Sequence, residues 1–289
     1  MSTIIDQPAQ IIPEPAEQYH ARREISRGML FDFLESRRGF FGAHVVGTIP
    51  RKRASKTMDF GTLCHAALLE PQTFANRYAV IPDSLLSGEH RTISSNAAKA
   101  WRDEHAAAGQ IVIKEDDLPE IEAVAKGVQE ECGAWLQDAG HVEKTIVWRH
   151  PATDLPCRCR PDWIRFTKNG TCIGFDLKTT NSIDPHKFRS KVEALGYWLQ
   201  VAHYAEGIAL ATGRPVEAFI FVAAQNKSPF RARTFELDSE SVAAAREARE
   251  RLMADLMRCY QSGDWSESWE RTVTKLSVRP FAFFTGDIE

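Results

Sequence analysis

RPDWIRFTKNGTCIGFDLK, residues 160–178, decides how the rest of the chain is read. Asp162 lies within one β-like run. The turn Thr167-Lys168-Asn169-Gly170 follows, and a second run from Thr171 ends in Asp176-Leu177-Lys178. Asn-Gly between two apolar runs is a strong short-range signal for a β-hairpin. Strand side chains alternate between faces, so Asp176 and Lys178 point one way while Ile173, Phe175 and Leu177 point the other. The hairpin then brings Asp162 toward Asp176 and Lys178. Two close carboxylates repel each other unless a divalent cation lies between them. The lysine beside them is suited to orient or deprotonate a water.

Other motifs stand on either side of the hairpin. Upstream is Gly61-Thr62-Leu63-Cys64-His65, in a segment that reads as a helix to Glu70, ended by Pro71. A lone histidine on an apolar helix is usually structural. Downstream, Gln200 and Tyr204 are four residues apart and share a helix face. They suit the positioning of water or phosphate, although either alone could be an ordinary polar residue on a core helix.

PD, a spacer, DxK, the QxxxY of Gln200 and Tyr204 and the upstream GTxxH together resemble the PD-(D/E)xK nucleases. Within them the chain is similar to the RecE branch of phage-type exonucleases, related to RecB nuclease domains and more distantly to lambda exonuclease. The resemblance implies an α/β fold with an αβββαβ core at about residues 118–224 and a mostly helical N-terminal elaboration. It implies that His65 is a metal ligand. With Asp162, Asp176 and the backbone carbonyl of Leu177, His65 would hold Mg²⁺ or Mn²⁺ in a hard, oxygen-rich set. Family members often place an acid near Glu143, a further candidate ligand that reads equally as an exposed strand-edge carboxylate. Lys178 would act on the attacking water, with Gln200 and Tyr204 supporting the catalytic carboxylates.

The resemblance further implies digestion of linear double-stranded DNA from its 5′ ends, leaving a 3′ single strand for a RecT-like annealing protein. No Walker A motif is present, so ATP-driven unwinding is not expected of this chain. Three other readings stay open: a PD-(D/E)xK endonuclease, a non-cleaving DNA-binding protein and a small-molecule metallohydrolase. The first needs a sequence-reading element, the second would lose acids or lysine that are all present, and the third would need more histidines near the acids.

Composition is that of an ordinary globular protein, with 43% hydrophobic and 26% charged residues over 289 positions. No apolar run reaches the roughly 18 residues that span a membrane, and the start lacks signal-peptide features. A cytoplasmic protein with six free cysteines is expected. Cys157-Arg158-Cys159 is a weak metal signal and reads as strand filler. The net charge of −3 argues against a uniformly basic DNA-binding surface. Arg51, Lys52, Arg53 and Lys56 form a basic loop before the His65 segment and are the candidate DNA contacts.

Residues 1–18 read as a flexible tail and 19–264 as a single domain. A helix is expected from Ser26, with Met29, Leu30, Phe33 and Leu34 inward. Residues 118–136 read as a helix, 145–149 and 157–166 as a strand and its return strand, and 185–212 as one helix. Residues 265–289 form an aromatic tail suited to a subunit contact. A ring-shaped homotetramer threaded by DNA would keep a motorless enzyme on its substrate.

Overall fold

The computed structural model describes residues 9–50, 56–89, 91–136, 140–267, 269, 270 and 273. Its N-terminal part holds β1 (Ala9–Ile12), α1 (Ala16–Ala21), α2 (Arg27–Glu35) and α3 (Arg37–Phe40). Then come α4 (Lys56–Leu69), β2 (Tyr78–Val80), α5 (Asn96–Ala107), β3 (Ile111–Ile113) and α6 (Asp117–Leu136). The remainder runs β4 (Gly140–Val142), β5 (Thr145–Arg149), β6 (Pro156–Cys159), β7 (Trp163–Phe166) and β8 (Cys172–Thr180). It ends with α7 (Pro185–Ala194), α8 (Tyr197–Thr212), β9 (Val216–Gln225), β10 (Ala232–Glu236) and α9 (Ser239–Ser262). No helix among the described residues is long and apolar enough to cross a membrane.

The central sheet has the order β10-β9-β8-β7-β4. β7 and β8 form the expected hairpin, in register from Phe166 opposite Cys172 to Trp163 opposite Phe175. β9 lies parallel to β8, connected through α7 and α8. Alternation along β8 sends Phe175 and Leu177 into a core with α4 and α6, which contribute Leu63, Cys64, Ile121, Val124 and Val128. The opposite face packs on α8 and, beyond it, α2 and α9. Sheet and helix layers thus give the αβββαβ order as α6, β4, β7, β8, α8, β9, with extra strands.

Those extra strands correct the expected strand and return strand over 145–166. β5 and β6 pair with each other, and β1 pairs with β5, in a separate three-stranded sheet. Residues 157–166 are therefore two strands in two sheets, broken at Arg160-Pro161-Asp162. Proline has no N–H to donate to a ladder, which makes Pro161 a natural break. Asp162 stands at the break, just ahead of β7, and not within a strand.

Residues 9–18, expected to be part of a flexible tail, instead supply β1 and the start of α1. Only four residues pair, and their partners lie well over a hundred positions away, so no local pattern announces the strand. Ser26 caps α2 as expected, accepting from the Met29 N–H at 3.3 Å. Leu34, expected inward, is 46% exposed, because the face of α2 that packs is set by Met29, Leu30 and Phe33. The helix expected over 185–212 is two helices. Gly196 takes the left-handed conformation (φ +65°), and a Cβ there would lie 2.3 Å from the Phe31 ring. Trp265 of the aromatic tail packs inside its own chain, stacked on Phe40 at 5.8 Å between centroids. Phe281, Phe283 and Phe284 lie outside the described residues.

A buried charged network locks α9 onto α8 and β5. The Arg249 guanidinium, 2% exposed, donates to Glu206 at 2.6 and 2.8 Å, to Glu250 at 2.8 Å and to His203 Nδ1 at 3.2 Å. Trp148 Nε1 also donates to Glu206, at 2.8 Å, and His150 Nε2 lies 3.0 Å from Glu250. His150, Glu206 and Glu250 are close enough to hold a metal ion, but the guanidinium already supplies their counter-charge. All six cysteines are buried free thiols, as expected of strand and helix filler.

Candidate active site

Three elements converge where β7 leaves Asp162 and β8 approaches its end. α4 lies so close to β8 at Gly61 that a Cβ would sit 3.2 Å from Thr179 Oγ1. One turn on, His65 reaches the β8 backbone, and its Nε2 donates to the Leu177 carbonyl at 3.0 Å. In the neutral imidazole, the form that binds metal, that bond leaves Nδ1 as the lone-pair nitrogen. It lies 3.3 Å from Asp162 Oδ2 and 3.6 Å from Glu143 Oε1. Ligand atoms of His65, Glu143 and Asp162 all lie within 4.8 Å of one another. An imidazole that donates one N–H to a backbone carbonyl while turning the other nitrogen toward carboxylates is the arrangement metal-binding histidines adopt. These donors, one nitrogen and two carboxylates, fit a hard divalent cation.

Each carboxylate is held in place. Asp162 Oδ2 accepts the Leu177 N–H at 2.6 Å, so Leu177 orients one ligand by its N–H and another by its C=O. Glu143 sits in the bend after β4 with left-handed φ (+48°), and its N–H is bonded to the Asp162 carbonyl at 3.0 Å. A non-glycine residue there is strained and persists only where its surroundings fix it. Here Arg160 Nε donates to Glu143 Oε2 at 2.9 Å, and Arg160 Nη1 ties back to the Glu14 carbonyl at 2.9 Å.

The electrostatics reflect crowding of like charges. Burial, opposed by His65 and reinforced by Asp176, lifts the Asp162 carboxyl to about 6. Burial alone would lower the His65 imidazole, but Asp162 and Glu143 outweigh it and hold it well above its ordinary value. Burial would raise Glu143, yet His65 and Arg160 draw it below the usual carboxylate range.

Asp176 is 4% exposed and faces α8. Its Oδ1 accepts from Gln200 Nε2, and its Oδ2 is ion-paired with Lys178. The carboxylates are thus divided: Asp162 and Glu143 surround His65 Nδ1, while Asp176 is bound to the lysine and the amide. The Leu177 carbonyl already accepts from His65, leaving one lone pair. Tyr204 lies one turn beyond Gln200, next to Tyr19, with its ring edge-to-face on Phe219 at 5.7 Å. Burial holds its phenol well above its ordinary value, so it stays protonated.

Of the candidate DNA contacts, Arg51, Lys52 and Arg53 lie outside the described residues, and Lys56 is the first residue of α4. Residues not anticipated from sequence complete the site. Arg160 holds Glu143, and the Tyr197 ring lies 4.6 Å from Lys178 Nζ. Tyr197 is three residues before Gln200, so the helical spacing that groups Gln200 with Tyr204 also contains Tyr197.

Residues 26–272 match the family described as PDDEXK-like domain of unknown function (DUF3799). No match is found among curated proteins. A solved candidate exonuclease from Eubacterium rectale superposes with a TM-score of 0.58 at 13% identity, covering 96% of this chain and 100% of that one. An alkaline exonuclease from Laribacter hongkongensis aligns at 13% identity over 67% of this chain and 100% of its own, with a TM-score of 0.24, too low to bear on the fold. The matched family model spans the hairpin, the His65 helix and α8 alike, and the chain belongs to the PDDEXK-like domain family.

Proposed function

We propose that the chain is a divalent-metal-dependent exodeoxyribonuclease that hydrolyses linear double-stranded DNA. The observation that carries this reading is the pairing of a His65–Glu143–Asp162 ligand set with an adjacent Asp176–Lys178 ion pair across one backbone residue, Leu177. A cation of the Mg²⁺ or Mn²⁺ type would be held by His65, Glu143 and Asp162, with Asp176 on β8 as the remaining candidate ligand, and would supply Lewis-acid stabilisation at a phosphate.

The chain's own groups do the rest. Lys178 is held between Asp176 and the Tyr197 ring, with an ammonium that donates to the attacking water and to the phosphate oxygens. Gln200 fixes the Asp176 carboxylate so that Lys178 has one position and not several. Arg160 keeps Glu143 turned toward His65. Leu177 couples the two halves, because a shift of its peptide moves His65 and Asp162 together.

Attack from 5′ ends, a 3′ single-stranded product passed to a RecT-like annealing protein, ATP independence and a ring-shaped homo-oligomer extend the proposal through the RecE resemblance. Matched linear and covalently closed circular duplexes, incubated with the protein and Mg²⁺, separate the readings. Loss of the linear form alone supports an exonuclease. Cutting of the closed circle points to an endonuclease, and binding of either without cutting points to a DNA-binding protein.

A further inference from the structure

Beyond Lys178, the same face of β8 carries Thr180, and a second ammonium is fixed there. Lys191 Nζ, on α7, donates to Thr180 Oγ1 and to Asn181 Oδ1, the latter at 3.0 Å. No carboxylate pairs with it among the described residues. Burial pulls its pKa below the ordinary lysine value, as expected for a cation without a counter-charge. An ammonium has three donors, and two are in use, which leaves one for a ligand.

Placement gives this lysine a meaning. Same-face residues of a strand repeat at roughly 6.6 Å. Asp176, Lys178 and the Thr180–Lys191 pair therefore form a row stepping away from the carboxylates, at a spacing comparable to that of successive phosphates along a strand. Lys187, exposed and four residues earlier on α7, extends the row on the same helix face. Asp184, three residues before Lys187, is committed to capping α7, accepting from the His186 and Lys187 N–H groups at 3.1 Å. A lysine that served only to pin the β8–α7 turn would gain nothing from lying in line with the catalytic ammonium. It would also leave a partly buried charge uncompensated.

We infer that Lys191, held by Thr180 and Asn181, binds the DNA phosphate next to the one positioned at Lys178, with Lys187 contacting the phosphate beyond. This inference rests on the nuclease reading above and adds a substrate subsite to it. The subsite sets where the backbone runs: from the carboxylates, past the end of β8, along α7. α7 then carries the backbone contacts that a chain of net charge −3 cannot spread over its whole surface.

Anisotropy titrations of a fluorescent linear duplex in EDTA, from low to physiological salt, test it alongside cleavage in Mg²⁺. Lys191→Met is expected to weaken binding about 5- to 10-fold and to reduce the slope of log Kd against log salt by about 0.9. Lys191→Gln should do the same, while Lys191→Arg should keep the wild-type slope. Thermal unfolding should shift little in all three, since the side chain is only partly buried and Thr180 Oγ1 keeps its bonds to Ser182. Wild-type affinity and slope in both Lys191→Met and Lys191→Gln, with cleavage intact, would overturn the subsite and leave the nuclease reading standing. A wild-type protein that neither binds nor cuts DNA would overturn both.

Discussion

Lys178 and Tyr197 are in cation–π contact, with the ammonium 4.6 Å from the ring centroid. The ring comes from α8 and the lysine from β8, so the contact braces the lysine from outside its own strand. Such a contact is worth about 1–2 kcal/mol when partly desolvated. Tyr197→Leu should therefore lower kcat about 10-fold with little change in KM, and Tyr197→Phe, which keeps the ring, should restore most of it. Equal loss in both variants would mean that the phenol, not the ring, matters.

His65 donates to Leu177 and turns its other nitrogen to the acids, so its removal should be felt as lost metal affinity. His65→Ala should weaken Mn²⁺ or Mg²⁺ binding by at least about 10-fold and raise the metal concentration needed for cleavage. Titration calorimetry checks this directly. Unchanged metal affinity with lowered thermal stability would make His65 a packing residue.

The acidity of the site predicts its response to pH. Asp162, raised to about 6, and His65, held well above its ordinary value, both keep protons in the folded metal-free protein that the unfolded chain has released. Their contribution to stability is therefore present at low pH and lost as pH rises: for Asp162 up to about 6, for His65 above the ordinary imidazole range. Glu143, drawn downward, has the opposite sense, and its contribution is lost only as pH falls below the ordinary carboxylate range. Ligation needs deprotonated groups, so stabilisation by metal should grow as pH rises. Melting curves between pH 5 and pH 8.5, in EDTA and in Mg²⁺, should show a gap that widens with pH. A constant gap would remove these residues from the metal site.

Stability and chemistry should separate at Arg249. Its guanidinium serves Glu206, Glu250 and His203 in a buried network away from the hairpin. Arg249→Met leaves those carboxylates without their cation and should cost about 3–5 kcal/mol in denaturant unfolding. Metal affinity of the folded fraction should be unaltered. A loss below about 1 kcal/mol would show that solvent readily replaces the guanidinium.

The hairpin was legible because Asn169-Gly170 and strict alternation are local signals that agree with each other. The placement of Asp176 with Lys178 follows from that alternation alone, and the shared face of Gln200 and Tyr204 from helical spacing. Glu143 was ambiguous because its position depends on a left-handed backbone and on β4 pairing with β7, neither written in a local pattern. The break at Gly196 was hidden because the apolar period continues through it, and only the approach of Phe31 from a distant helix requires the glycine. Nothing in the sequence marks Lys191, because its surroundings look like any solvated helix face. The role inferred for it depends on Thr180, which is near only in the fold.

The central claim is that Asp162, Asp176 and Lys178 cut DNA from an end with the aid of a divalent cation. Linear duplex labelled at its 5′ or its 3′ termini, incubated with wild-type protein, Asp162→Asn, Asp176→Asn and Lys178→Met in Mg²⁺ and in EDTA, tests it most directly. The account predicts release of 5′ label by the wild type in Mg²⁺, none in EDTA, and losses of about 100-fold or more in each variant. It predicts weakened metal binding for the two aspartate variants but not for Lys178→Met. Label release that persists in EDTA, or near-wild-type rates in either aspartate variant, would contradict it.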